Sequence, residues 1–481
     1  MKRDIQRSTV SQRSISASEI ARDVNKFETW ASFQGLHQVA FSDLPRQIRS
    51  DVDEIFHVNG KLPGSWVTKS SGMYKRLKKT TPSFVKLLRD AQKAIPDLFS
   101  SDVVEGACED LLIELGTVLP ALRQIQNMRE EREKWSESDY AAKVYDIFRT
   151  SAAVKDSSCR TKCKLSLPKQ LPRLESKDPS VTRILKTRAV SPDCVILVSP
   201  SSISHLSATK SSAYNCINTH ASTSKTCGQH PGSSFRYQAT PFMQLPQRRC
   251  FEFVSSIWED KKLNTYDFET AYRQNRMACA SAARHLHSLR IQAPVIGLLW
   301  ADGKVRAHVD WCVREGGQLA VYSAPYPGSL SLSSSADEKD GSPKDLMRRP
   351  PEFFEWDLSR PEDIISVFLL IRNIDQWTAG RFRERIEKGV EALGQAITQG
   401  GCAFAPWRHE GLASPVKNGP TLRPTALGKE NTLSTATGLT TTSKSSAPST
   451  SVSVVIRSPP RGTKKSTSER QARGLERVKR R

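Results

Sequence analysis

Residues 295–313 read VIGLLWADGKVRAHVDWCV. Two β-rich runs flank Asp302-Gly303, a dipeptide that readily takes the left-handed backbone of a two-residue hairpin turn. This is the strongest local signal in the chain, and it commits the fold to a sheet with an antiparallel part. Gly316-Gly317 followed by LAVYSAP predicts a third strand. The stretch before the hairpin, YDFETAYRQNRMACASAARHLHSLR, repeats apolar residues at steps of three and four: Phe268, Tyr272, Cys279, Ala282, Leu286 and Leu289. That spacing predicts a helix with one face on a core. The fold class is therefore α/β.

The 481 residues leave room for two or three domains, but only 37% are apolar and they are unevenly spread. One sizeable core with polar flanks is the expectation. Residues 1–24 are Ser/Arg-rich and predicted disordered. Residues 25–134 carry helical periodicity, broken near Pro120. The core, residues 135–400, opens at SESDYAAKVYDIF, where Ser136 and Asp139 have capping-box spacing and Ala142, Val144, Tyr145 and Phe148 form an apolar stripe. Strands are predicted at 163–167 (CKLSL) and 193–198 (DCVILV), then a mobile, Ser/Thr-rich insertion loop over 200–240. A strand over 249–257 would place Phe251, Phe253 and Ile257 on one face and Glu252, Val254 and Ser256 on the other. SLSLSSSADEKDGSPKD reads as a loop. Ser359, Pro361 and Glu362 then predict a capped helix start, running through IISVFLLI toward Leu393. Residues 405–481 are predicted to be a disordered basic tail.

A net charge of +22 favours a polyanionic partner, most simply nucleic acid. Half of that charge lies beyond Trp407, where fifteen Lys/Arg face four Asp/Glu, so the basicity belongs largely to the tail. The ten cysteines include no CxxC pair, and Cys159/Cys163 lack a nearby second ligand pair, so a zinc site is not expected and the chain is read as intracellular and reduced. The N-terminal MKRDIQRSTVSQRS has no apolar core of a secretion signal, and IISVFLLI is too short to cross a bilayer. No membrane association is expected. The terminal KRR, with Lys464-Lys465 upstream, fits a nuclear address. Ser-His-Asp order, a glycine-rich phosphate loop and a zinc-binding His pair are all lacking, which excludes the corresponding enzyme classes.

The segments PDCVILV, CFEFVSS, AYRQNRMACASAARHLHSL, PVIGLLWADGKVRAHVDW and EWDLSRPEDIISVFLLIRNIDQW, in that order over residues 135–395, resemble the fungal PD-(D/E)XK nuclease-like family. The resemblance implies a restriction-endonuclease-like core, a mixed sheet flanked by helices, that cleaves phosphodiesters of DNA or RNA with Mg²⁺. It assigns Asp193 and Glu252 as metal carboxylates, Glu137 as a further acid and Gln274 as a helix residue supporting the site. Hard oxygen ligands suit Mg²⁺, and a lysine two positions past the second acid shares its strand face. This sequence has Val254 at that position. Lys261 or Lys262 is the candidate substitute cation. The alternative motif is Glu259-Asp260-Lys261, but EDKKLN is fully polar and reads as a strand exit, so Glu252 is preferred. The degraded motif also admits an inactive module that binds nucleic acid or protein. Arg306, His308 and Asp310 share one hairpin face and read as solvated. Glu137 is equally a first-turn acid favoured by the helix dipole.

Overall fold

The Asp302-Gly303 turn forms as the sequence predicts, with φ of 52° and 69° at the two residues. It joins two of the eight strands of the main sheet, in the computed structural model that describes residues 15–103, 108–152, 157–171, 176–227, 234–261, 267–328 and 353–408. The strands are β1 (Leu36–Gln38), β2 (Ser157–Thr161), β3 (Cys194–Val198), β4 (Val254–Lys261), β5 (Val295–Ala301), β6 (Lys304–Glu315), β7 (Gln318–Pro325) and β8 (Trp356–Asp357). Their order is β1-β7-β6-β5-β4-β3-β2, with β8 added to β6. The β4–β5 and β1–β7 pairs are parallel and the others antiparallel, so the sheet is mixed.

Helices cover it. Helix α1 (Ala17–Arg22) lies on α3 (Asp267–Ser288), which crosses β4, β5 and β6. Helix α2 (residues 137–152) starts at Ser136, whose capping box with Asp139 forms as its spacing requires. Tyr145 and Phe148 of α2 pack on Trp300 of β5, with ring centroids 5.0 and 5.3 Å apart. Helix α4 (residues 361–398) passes through a π turn at Thr378–Phe382 and carries the buried run IISVFLLI. The described residues all belong to one compact unit within residues 1–416.

Several expectations are corrected. Residues 17–22 of the supposed disordered arm are helical, because Ser16 and Glu19 cap them and Ile20 and Ala21 are buried. The described part of residues 25–134 is mostly helical, including Arg46–Phe56 and Pro82–Ala94, which pack on α4, but it also supplies edge strand β1 and the short ladder Leu62–Pro63 with Phe99–Ser100. Pro120 lies in the first turn of Val118–Glu131, where its missing N–H costs no helical bond. The sheet's edge strand is Ser157–Thr161, while Leu165–Ser166 forms a separate ladder with Ala189–Val190.

The insertion is not a bare loop. It holds the short helices His205–Ala208, Ala213–Thr219, Ala221–Cys227 and Phe235–Gln238, anchored by fully buried Tyr214, Ile217 and nearly buried Phe235. The Ser359 hydroxyl bonds Asp357 at 2.7 Å, leaving Arg360 at the N-cap of α4. The loop at 329–345, the basic tail beyond residue 408 and residues 1–14 lie outside the described residues.

The largest correction concerns the strand expected at 249–257. The ladder instead runs from Val254 to Lys261. Phe251 and Phe253 are buried, but in an aromatic cluster with Tyr214 and Phe235 ahead of the strand. Residues 256–261 pair in parallel with β5, so the polar EDK stretch is interior strand.

Candidate active site at the ends of strands β3 and β4

Because β3 and β4 are antiparallel, the start of one lies beside the end of the other. Cys194 pairs with Trp258, which brings Asp193 alongside Glu259. Asp193 is clamped there. Its N–H donates to the Trp258 carbonyl at 3.2 Å, and its Oδ2 accepts from the Asp260 N–H at 2.8 Å. Strand alternation sends Glu259 and Lys261 to one face and Asp260 to the other. Lys261 Nζ lies 2.5 Å from Glu259 Oε1. Asp260 turns toward α2, where it pairs with Arg149.

Helix α2 brings in the last acid. Tyr140 donates to Asp302 Oδ1 at 2.5 Å, and the Tyr145 hydroxyl accepts from the Gly303 N–H at 3.2 Å. These bonds fix the start of α2 at the same end of the sheet, so the Glu137 charge acts on both Asp260 and Lys261. A π turn over Ala141–Tyr145 interrupts the helix directly after this segment, a feature common near functional sites.

The electrostatics are those of crowded carboxylates around one cation. Burial pushes the Glu259 carboxyl well above its usual range; Lys261 opposes this and Asp193 adds to it. Glu259 is fully buried, and its Oε2 has no hydrogen-bond partner among the described residues. Burial works against the Lys261 ammonium, but Glu259, Asp193 and Glu137 outweigh it and hold the group above its ordinary value. An unpartnered buried carboxylate oxygen is costly unless something satisfies it. Two hard-oxygen donors with one such oxygen fit a Mg²⁺-class cation held by Asp193 and Glu259.

A proton must leave Glu259 for it to ligate. Its raised pKa means the site holds that proton to higher pH than a free carboxyl would, so Mn²⁺ affinity should rise with pH, with proton release on binding. Calorimetry in two buffers of different ionisation enthalpy checks this. A pH-independent affinity with no buffer dependence would contradict it.

Among the residues expected from sequence, Asp193 and Glu137 both act on the charge of Lys261. Glu252 does not join them. It stands ahead of β4 and is almost wholly buried, with Oε1 2.6 Å from Arg160 and Oε2 accepting from Thr240 Oγ1 at 2.6 Å. Both its oxygens are occupied, and Glu259 is the acid that stands beside Asp193. Val254 merely opens the strand opposite Leu197. Gln274 is buried on α3, next to Asn275, whose amide bonds the Ile257 carbonyl of β4 at 3.0 Å. Lys262 lies outside the described residues.

The hairpin face carrying His308 and Asp310 is not solvated, because α3 covers it and buries both residues completely. Arg306 pairs with Glu355 at 2.8 Å. The donor atoms of His308, Asp310 and Cys279 lie within 4.8 Å of one another. His308 is already engaged by Asp310 and by Asn275 Oδ1, 3.0 Å from its Nε2, and Cys279 also donates to that Oδ1. Gly297 underlies this network, since a methyl group there would overlap the His308 ring and Asn275 Oδ1. Gly297→Ala should destabilise the protein by about 1–3 kcal/mol, read as a lower denaturant midpoint.

No known protein-family model matches the chain, and no curated protein matches it either. Among the described residues, no helix is long and apolar enough to cross a membrane.

Proposed function

We propose that the chain is a metal-dependent nuclease with a PD-(D/E)XK core, in which Asp193 is the first acid and Glu259-Asp260-Lys261 is the (D/E)XK strand. The observation that carries this is the side-by-side placement of Asp193 and Glu259, with Lys261 Nζ 2.5 Å from Glu259 and one buried Glu259 oxygen left without a partner. A Mg²⁺ ion held by the two carboxylates would stabilise charge developing on a phosphodiester and acidify a water.

The protein's own groups do the rest. Asp193 is held in place by the backbone of Trp258 and Asp260, so its carboxylate is positioned before any ligand arrives. Lys261 extends from the same strand face as Glu259, where its ammonium can lie against a phosphate oxygen. Glu137 adds negative charge that keeps Lys261 protonated. With Lys261 on the strand, the valine at 254 no longer argues for an inactive module. DNA and RNA are both suitable substrates, and the Lys/Arg-rich segment after residue 408 is read as a nuclear address that also attracts polyanions.

The test is nicking of supercoiled plasmid and cleavage of labelled RNA by the full-length chain, with Mg²⁺ or Mn²⁺. Cleavage of either substrate that EDTA abolishes is expected. Absence of product on both substrates with either ion overturns the reading.

A further inference from the structure

A groove of about 1480 Å³ runs beside edge strand β2, walled by residues around 160–164, 200–208 and 242–252. Two of its lining residues, Thr161 and Lys162, meet the backbone of the segment that carries Asp193. Thr161 is the register partner of Cys194, and the Lys162 N–H donates to the Asp193 carbonyl at 3.1 Å. Lys162 takes a left-handed backbone, φ 52°, which turns the chain out of β2 at that point. Lys162 is thus tied to the Asp193 backbone and is also a lining residue of the groove.

Its charge is one-sided. Arg160, Lys162, Lys164, Arg248 and Arg249 line it, against Glu252 as the lone acid among its lining residues. Glu252 is already neutralised by Arg160, which also lies 4.6 Å from the Phe242 ring centroid. The other four cations are exposed and make no ion pair among the described residues. Four like charges around one concavity repel each other and draw in a polyanion. Ser201, Ser204 and Ser207 are also among its lining residues. A planar lipid surface cannot follow a concave track of this kind, whereas a nucleic-acid strand can, and its phosphates repeat along the chain.

We propose that this groove holds the backbone of the nucleic-acid strand that flanks the cleavage position, with Lys162, Lys164, Arg248 and Arg249 against its phosphates. The choice of nucleic acid rests on the nuclease reading, while the groove and its charge do not. These contacts position the strand and carry no sequence information.

The experiment compares the full-length protein with a Lys162→Gln/Lys164→Gln/Arg248→Gln/Arg249→Gln variant. Labelled single-stranded and duplex oligonucleotides are bound in EDTA over a salt series. The basic residues after position 408 are common to both proteins, so the difference reports the groove. Affinity at low salt should fall at least tenfold. The slope of log K against log salt should become shallower by about 3, since each phosphate contact contributes roughly 0.7–0.9. Unchanged affinity and slope in a variant that unfolds at the wild-type temperature overturns the proposal. So does a loss confined to anionic vesicles or acidic peptides.

If the fourfold variant does not fold, Arg248→Gln/Arg249→Gln is used alone, with about half the change in slope expected and no change decisive against it. Binding in EDTA needs no turnover, which separates the two readings. Loss of binding in a protein that cleaves nothing upholds the groove and ends the nuclease. Unchanged binding beside Asp193-dependent cleavage does the reverse.

Discussion

Glu259→Gln lowers the Mg²⁺-dependent nicking rate of the full-length protein by about two to four orders of magnitude, and Glu252→Gln leaves it within a few-fold. A metal ion contributes several kcal/mol to a phosphodiester transition state, and each ~1.4 kcal/mol is a factor of ten. The glutamine keeps the shape of Glu259 and an oxygen near Lys261, but it removes the charge that the cation and Lys261 share. Asp193→Asn should be equally damaging, because the neighbouring acid cannot hold the ion alone. At Glu252, the amide oxygen can still accept from Arg160, and the amide NH2 can donate to the Thr240 hydroxyl, which now donates to the carboxylate. Lys261→Met separates the roles further, since cleavage should fall while Mn²⁺ binding persists. Rates are read from single-turnover plasmid nicking, with circular dichroism confirming the fold. A Glu252→Gln protein as inactive as Glu259→Gln would return the site to the residue that the sequence first suggested.

The sequence reading paired Asp193 with Glu252, whereas the structure sets Glu259 beside it, for a physical reason. Asp302-Gly303 and the Ser136–Asp139 box are local signals: each depends on a few residues and the backbone they prefer, so each is legible without the fold. The span of β4 is not local. Residues 259–261 are all charged, and a charged triplet usually marks the exposed end of a strand. Here β3 and β5 flank the strand on both sides, with α3 across it, so its polar residues are buried and must be satisfied in place. Lys261 satisfies one oxygen of Glu259, and Arg149 satisfies one of Asp260. Arg149 lies 111 residues before Asp260 and nothing in its own segment marks it as a partner. Phe251 and Phe253 misled in the opposite sense. Their alternation mimics a strand, while Tyr214 and Phe235 draw them into an aromatic cluster supplied by the insertion. That insertion read as a loop because its helices are short and Ser/Thr-rich, with the anchoring aromatics isolated among polar residues.

Arg149 carries the second large effect, on stability. It is the cation that faces Asp260 inside the protein, with both side chains less than a tenth exposed. Its other partner, Asp146 at 2.8 Å, is more than half exposed and lends little. Removing one member of a buried pair strands the other, which typically costs about 3–5 kcal/mol. Arg149→Met keeps most of the volume and should show a loss of that order in denaturant unfolding near neutral pH. The pH dependence identifies the cause. Burial raises Asp260 to about 6, with Arg149 opposing the rise and Asp193 and Glu137 adding to it. An acid whose folded pKa exceeds its unfolded value contributes stability fully below the unfolded pKa, and that contribution is lost as pH rises through the folded one. Without Arg149 the folded pKa moves higher still, so the losing window widens upward. The deficit of Arg149→Met should therefore be smaller at pH 5 than at pH 8. Adding Asp260→Asn removes the stranded charge and should recover most of the loss at pH 8. An equal deficit at both pH values, or no recovery in the double variant, would mean that Arg149 acts through packing of its aliphatic stem instead of through its charge.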